Sequence, residues 1–355
     1  MKKEQGTRLK EQGARKKNQG TGSRGKRDQK MLTLAPCALN LILILQAMKP
    51  VFKIGNSGDL NASEANLLME IGETHCCFAV TDHAAKMMIQ SVYYAAEEHD
   101  RDEMLKKVLL AHPELKRSFR QTVIGYYMRE NILIPSNLYH FEETKKLLQA
   151  LYEKDQNTTI SESVSEWQLY NTYNVPVSLH ELLSRNFATG NFWHVYSIVL
   201  KNRIDPPEGG KLIIDFKTDS FSIVVIKHHS ILLAQIFAYS KPADILYWLL
   251  KICKEFSLSQ SQIKLLISGL VDKRSAVYKE LDQYFLNIEF ASIANGVRLS
   301  NPFHEYPVHF FHRYISWQHA YHRRRAGRKK NTSTKQDASH KAHHGYCQRG
   351  PVQYR

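Results

Sequence analysis

Two short strings in this 355-residue chain combine residue types that could handle a phosphorylated ligand, and a third is a buried run closed by a glycine. Asp215-Phe216-Lys217-Thr218 closes one strand-like run with an acid, a cation and a hydroxyl. Glu70-Ile71-Gly72-Glu73-Thr74-His75 places an acid, a glycine and a hydroxyl at a second turn. A continuous apolar run over 263–267 is followed by Ser268-Gly269-Leu270. Backbone N–H groups of a tight turn cradle phosphate oxygens, a glycine allows close approach, and a lysine binds phosphate as a point charge. Each string also has a plain structural reading: a hairpin turn, a strand-end acid, a strand-to-helix turn. Other chemistry lacks support. His228-His229 falls short of the three or four ligands of a metal site, and His304, His309 and His312 have no clear helix to align them. No nucleophile elbow, Walker loop or paired-histidine zinc motif occurs.

Residues 211–239 must position the Asp215 string. They read as three antiparallel strands, 212–216, 221–227 and 231–239, rich in β-branched and aromatic residues and separated by turn formers. A helix opening at Pro242 follows, with Ile245, Trp248, Leu249, Ile252, Cys253 and Phe256 on one face. A buried strand over 263–268, a short helix lined by Tyr278, Leu281 and Phe285, and a strand over 288–290 complete the unit. The Glu70 string has the same surroundings. A hairpin (67–71, 76–81) and a strand (87–94) precede a helix capped by Asp100 whose apolar face is Met104, Leu105, Val108 and Leu109. Strands over 122–127 and 132–134 lead to a helix over 141–152 with Thr144, Leu147, Leu148 and Leu151 as its inner stripe. One order of elements therefore occurs twice, the mark of a duplicated α/β architecture. Between the copies, 155–166 reads as a polar linker, 167–173 as a strand, and Pro176 to about 203 as helix interrupted near Gly190. Asp205-Pro206-Pro207-Glu208-Gly209-Gly210 is a break.

The formal charge of +15 belongs to the ends: +8 on residues 1–30 and +10 on 312–355 leave −3 for 31–311. A nucleic-acid groove on the folded body is thereby disfavoured. The 5 cysteines (Cys37, Cys76, Cys77, Cys253, Cys347) form no C-x-x-C and read as free thiols of a reducing compartment. Residues 1–30 are basic, low in complexity and expected to be disordered, and 31–48 form an apolar run resembling a signal peptide. The alternative is a true start at Met48, which removes any membrane segment. Residues 312–355 are His- and Arg-rich without apolar period and read as a basic disordered tail, an RNA-binding extension or an out-of-frame translation. Codons for 319–324 and 341–349, shifted by one base, can spell strings resembling the opening of the bacterial methyltransferase that modifies a guanine in 16S ribosomal RNA.

The strand order and the three strings over about 62–311 resemble an uncharacterised bacterial family with the actin-like ATPase fold of the actin, heat-shock chaperone and sugar-kinase superfamily. Pilus-assembly and cell-division proteins are akin to it. The resemblance implies two ribonuclease-H-like halves around a cleft, ATP and Mg²⁺ as possible ligands, and Glu70, Gly72, Thr74, Asp215, Lys217, Thr218, Ser268 and Gly269 as the nucleotide-binding set. Glu70 and Asp215 would hold the magnesium hydration shell. Departures from the superfamily pattern oppose tight binding. Glu73 adds negative charge, Lys217 stands where a glycine belongs, and Leu270 fills the second glycine position of the adenosine motif. The expectation is a cytoplasmic α/β protein divided into a leader (1–47), a first half (48–155), a linker with strand and helices (156–210), a second half (211–311) and a tail (312–355). Its expected role is a non-catalytic binding or assembly module with an unknown protein partner. The alternatives are an active Mg-dependent ATPase or kinase and an accessory of 16S ribosomal RNA modification.

Overall fold

A computed structural model of the chain describes residues 49–56, 61–96, 100–152, 156–202, 204–293 and 296–317. The expectations on 1–47 and on the tail beyond 317 lie outside these residues. The first half opens with β1 (Pro50–Gly55), β2 (Ala65–Ile71), β3 (His75–Asp82) and β4 (Met87–Ala95). All seven positions of β2 are buried, so it reads as a continuous apolar run interrupted by Asn66 and Glu70. Helix α1 (Arg101–Ala111) starts where the Asp100 carboxylate accepts from Glu103 N at 2.9 Å. It buries Met104, Leu105, Val108 and Leu109, each contributing about 1.5–3 kcal/mol. The helix carries the chain to β5 (Gln121–Tyr126), parallel to β2 with Glu70 opposite Gly125.

An insertion follows: β6 (Asn131–Pro135), α2 (Phe141–Tyr152), β7 (Asn157–Val164) and β8 (Leu169–Pro176), its strands forming a separate sheet in the order β6-β8-β7. The chain then returns through α3 (Val177–Asn186) to β9 (Asn191–His194), which pairs parallel with β5, and to α4 (Val195–Leu200). The second half is β10 (Lys211–Phe216), β11 (Ser220–Lys227), β12 (Ser230–Ala238), α5 (Pro242–Glu255), β13 (Lys264–Gly269), α6 (Ala276–Asp282) and β14 (Asn287–Phe290). Its sheet order, β12-β11-β10-β13-β14, repeats β4-β3-β2-β5-β9 of the first half element for element. The expected duplication is present. After the second half the chain crosses back: β15 (Arg298–Leu299) pairs with β4, and residues 312–317 form helix α7.

Three expectations change. The region 156–210 is no linker. Its first part is β7, zipped to β8 from Asn157↔Pro176 to Val164↔Leu169, and its β9 completes the first-half sheet. The string looked like linker because its cross-strand partners are polar: Ser161 Oγ meets Thr172 Oγ1 at 2.8 Å and Thr159 Oγ1 donates to Asn174 at 3.0 Å. On α2, Thr144 and Leu148 are buried, but Leu147 and Leu151 face outward, 49% and 57% exposed. The sheet the helix packs on is too small to cover its whole apolar arc. Finally, the folded body does not stop at 311. Tyr314, Ile315 and Trp317 are buried, and Trp317 lies over Gly125, where a Cβ would overlap its ring.

Candidate functional site

Because the halves are copies, their first hairpins are copies too. Glu70 and Asp215 each hold the penultimate position of a first strand, β2 and β10. The turns that follow have equal length and are closed by the same bond: Gly72 N donates to His75 O at 2.9 Å, and Lys217 N to Ser220 O at 2.8 Å. The two carboxylates meet at one crevice, and cations lie between them. Lys217 Nζ donates to Glu70 Oε1 at 2.7 Å and also to Asp215 Oδ2. Arg313, carried in by α7, reaches Glu70 Oε1 at 3.0 Å and Asp215 Oδ2 at 3.5 Å. Lys217 is 0% and Glu70 2% exposed, so these are desolvated charges in a balanced set of two anions and two cations.

Neighbours fix each member. Ser268, opposite Asp215 across β10 and β13, donates to its Oδ1 at 2.9 Å. His75 donates its Nε2–H to Glu70 Oε1 at 2.8 Å, and Tyr239 OH donates to Lys217 O at 2.6 Å. The Tyr127 ring lies 5.0 Å from Lys217 Nζ, and the Arg313 guanidinium 5.0 Å from the Tyr314 ring. Burial alone would raise the Glu70 carboxyl, but Lys217, Arg313 and the His75 bond outweigh it and hold the group well below the usual range. Asp215 behaves likewise: burial opposes ionisation, and Lys217 and Arg313 prevail. Burial keeps His75 neutral despite its bond to Glu70.

Of the eight residues singled out in the sequence, Glu70, Asp215, Lys217 and Ser268 converge here. The other four have local duties or lie at the surface. A Cβ on Gly72 would strike the His75 imidazole, so that glycine makes room for a side chain. Gly269 (φ +82°) lies against the end of β10, where a Cβ would overlap the Phe216 carbonyl. Thr74 is buried, with its carbonyl accepting from Ala96 N at 2.8 Å, and Thr218 is exposed at its turn. Glu73 faces Arg101 at 2.6 Å and Arg129 at 3.5 Å. These residues do not fit a magnesium triphosphate: the His75 imidazole occupies the space beside Gly72, and Lys217 stands between the two carboxylates that would face the metal. Glu70, His75 and Cys77 bring ligand atoms within 4.8 Å of one another. A cation there would meet Lys217 and Arg313 on the same Glu70 oxygen, and burial pushes the Cys77 thiol up to about 11. Arg313, His75, Tyr127 and Tyr314 were not among the expected site residues. Phe311, Tyr314 and Ile315 at i, i+3 and i+4 were the helical signal, hidden by the His- and Arg-rich text around them.

Two copies of a three-strand, helix, strand, helix, strand unit, their first hairpins meeting at a crevice, make the actin-like ATPase fold. A protein with that fold and unknown function from Bacteroides thetaiotaomicron VPI-5482 superposes with a TM-score of 0.57 at 15% identity, covering 67% of this chain and 94% of that one. The PilM–PilN type IV pilus biogenesis complex gives 0.51 at 9%, covering 72% and 98%. The chain belongs to the family described as Protein of unknown function (DUF3822), which matches residues 57–288. No protein of curated function matches it in sequence. Among the described residues no helix is long and apolar enough to cross a membrane.

Proposed function

We propose that this protein is a non-catalytic binding or assembly module in which a permanent salt cluster takes the place of nucleotide as the tie between the halves. The observation that carries this reading is Lys217 Nζ, fully buried and shared between Glu70 and Asp215. A magnesium ion would have to displace that ammonium from both carboxylates. Leaving one buried charge unpaired costs about 3–5 kcal/mol, a penalty a nucleotide would meet before gaining any contact. A clamp tied in this way presents its surfaces in one arrangement. In the PilM–PilN complex a protein of this fold works with a protein partner, and a protein partner is proposed here on that analogy.

One observation favours a second reading. Arg313 Nε and Nη2 have no partner among the described residues, and an anion entering the crevice would meet both. An active ATPase or kinase would use them on phosphate, with Glu70 and Asp215 on Mg²⁺. Equilibrium titration of ATP with and without magnesium separates the two. Absence of saturation at millimolar nucleotide supports the module, and micromolar affinity lost in Asp215→Ala overturns it. A role beside 16S ribosomal RNA modification rests on sequence beyond residue 317, and co-purification of that methyltransferase or of ribosomes tests it.

A further inference from the structure

Helix α7 divides the space between the halves. Arg313 enters the charge cluster, while His312, Ile315 and Ser316, at i, i+3 and i+4, line a separate cavity of about 290 Å³. Strand β10 borders both regions. Asp215 belongs to the cluster, and Ile213 and Lys211, two and four residues earlier on the same face, line the cavity beside Leu266 of β13. Val199 of α4 and Ile204 close it from the other side. Aliphatic side chains share the lining with about as many polar ones, and Lys211 supplies an ammonium. Lys264, next to Lys211 across the strands, is paired with Glu289 at 2.6 Å, and Asp205 at the cavity rim already has a partner. Among the described residues the Lys211 ammonium makes no hydrogen bond or ion pair. Burial and the Lys264 charge lower its pKa, and Glu289 and Asp205 compensate only in part.

We propose that this cavity binds a small monocarboxylate with an apolar body, its carboxylate on Lys211 and its body against Ile204, Ile213, Leu266 and Ile315. A volume of about 290 Å³ accommodates a short branched or medium-chain acid. A single free ammonium matches one negative charge, whereas a phosphate dianion would need a second cation. A half-buried ammonium gains from an anion that brings its own apolar cover. The site stands apart from the charge cluster, so its fate is independent of whether nucleotide binds there.

Calorimetric titration of the full chain with 4-methylpentanoate tests the proposal, with 4-methylpentan-1-ol and inorganic phosphate as companion probes. The expected result is saturable binding of the acid, at least ten-fold tighter than the alcohol of the same shape, and no saturation by phosphate. Lys211→Met should weaken the acid at least ten-fold, and Leu266→Trp, which fills the cavity, should abolish binding. Equal affinity for acid and alcohol, saturation by phosphate, or no saturation by millimolar acid would each overturn the proposal. The acid–alcohol comparison uses the unmodified protein, so it stands even if a variant fails to fold.

Discussion

Lys217 occupies the place where the superfamily pattern has a glycine, and its consequences run in two directions. Its Cβ obstructs close approach to the turn, and its ammonium supplies the charge that a metal would otherwise bring to Glu70 and Asp215. Lys217→Met keeps the length and removes the charge, leaving two buried carboxylates to share Arg313. The expected cost is about 3–5 kcal/mol, read from the urea midpoint of unfolding. The carboxylates also set an acid limit. Both are held below their unfolded values, so the stability they contribute is complete above about pH 4.5 and is lost as pH falls through the folded values. His75 adds an earlier decline, because the unfolded state takes up its proton below about pH 6.5 while the folded state resists it. The stability gap between the wild type and Glu70→Gln should therefore be widest near neutrality and narrow below pH 4.5. A gap that widens on acidification would show that the Glu70 carboxyl is not held ionised.

At the scale of elements, α7 gives the crevice its closed form. Trp317 packs over Gly125 of β5 in the first sheet, and Arg313 stands one turn earlier on the same helix. Trp317→Ala should cost about 3–5 kcal/mol by the cavity it leaves, and calorimetry should show a matching drop in Tm. No change would mean that the helix is not docked on the sheet. What the sequence made legible follows from the same contrast. The hairpins of 65–82 and 211–227 were readable because β-branched and aromatic runs alternate with turn residues. Helices α1 and α5 were readable because their apolar faces are complete. Strand β7 was not, since its partners are hydroxyls and amides that look like linker. Nor was α7, whose buried Tyr314, Ile315 and Trp317 stand among basic residues. Four of the eight expected residues come together, and the two strand-end acids among them were legible because an acid closing an apolar strand stands out. The counter-charge Arg313 lies 243 residues from Glu70, and nothing local to either marks the pairing.

The whole molecule is a duplicated clamp with its jaws tied by its own side chains. One half supplies Glu70, the other supplies Asp215 and Lys217, and the returning C-terminal helix supplies Arg313. A nucleotide-driven member of this fold needs a crevice that opens, fills and empties. On the proposed reading, a tie of buried opposite charges favours one arrangement of the halves and a surface that is always presented. On that reading this cluster stands in place of bound nucleotide. Titrating ATP into the native protein in the presence of magnesium tests it most directly. No saturable heat up to millimolar nucleotide is the predicted result, and micromolar binding that disappears in Asp215→Ala would contradict it.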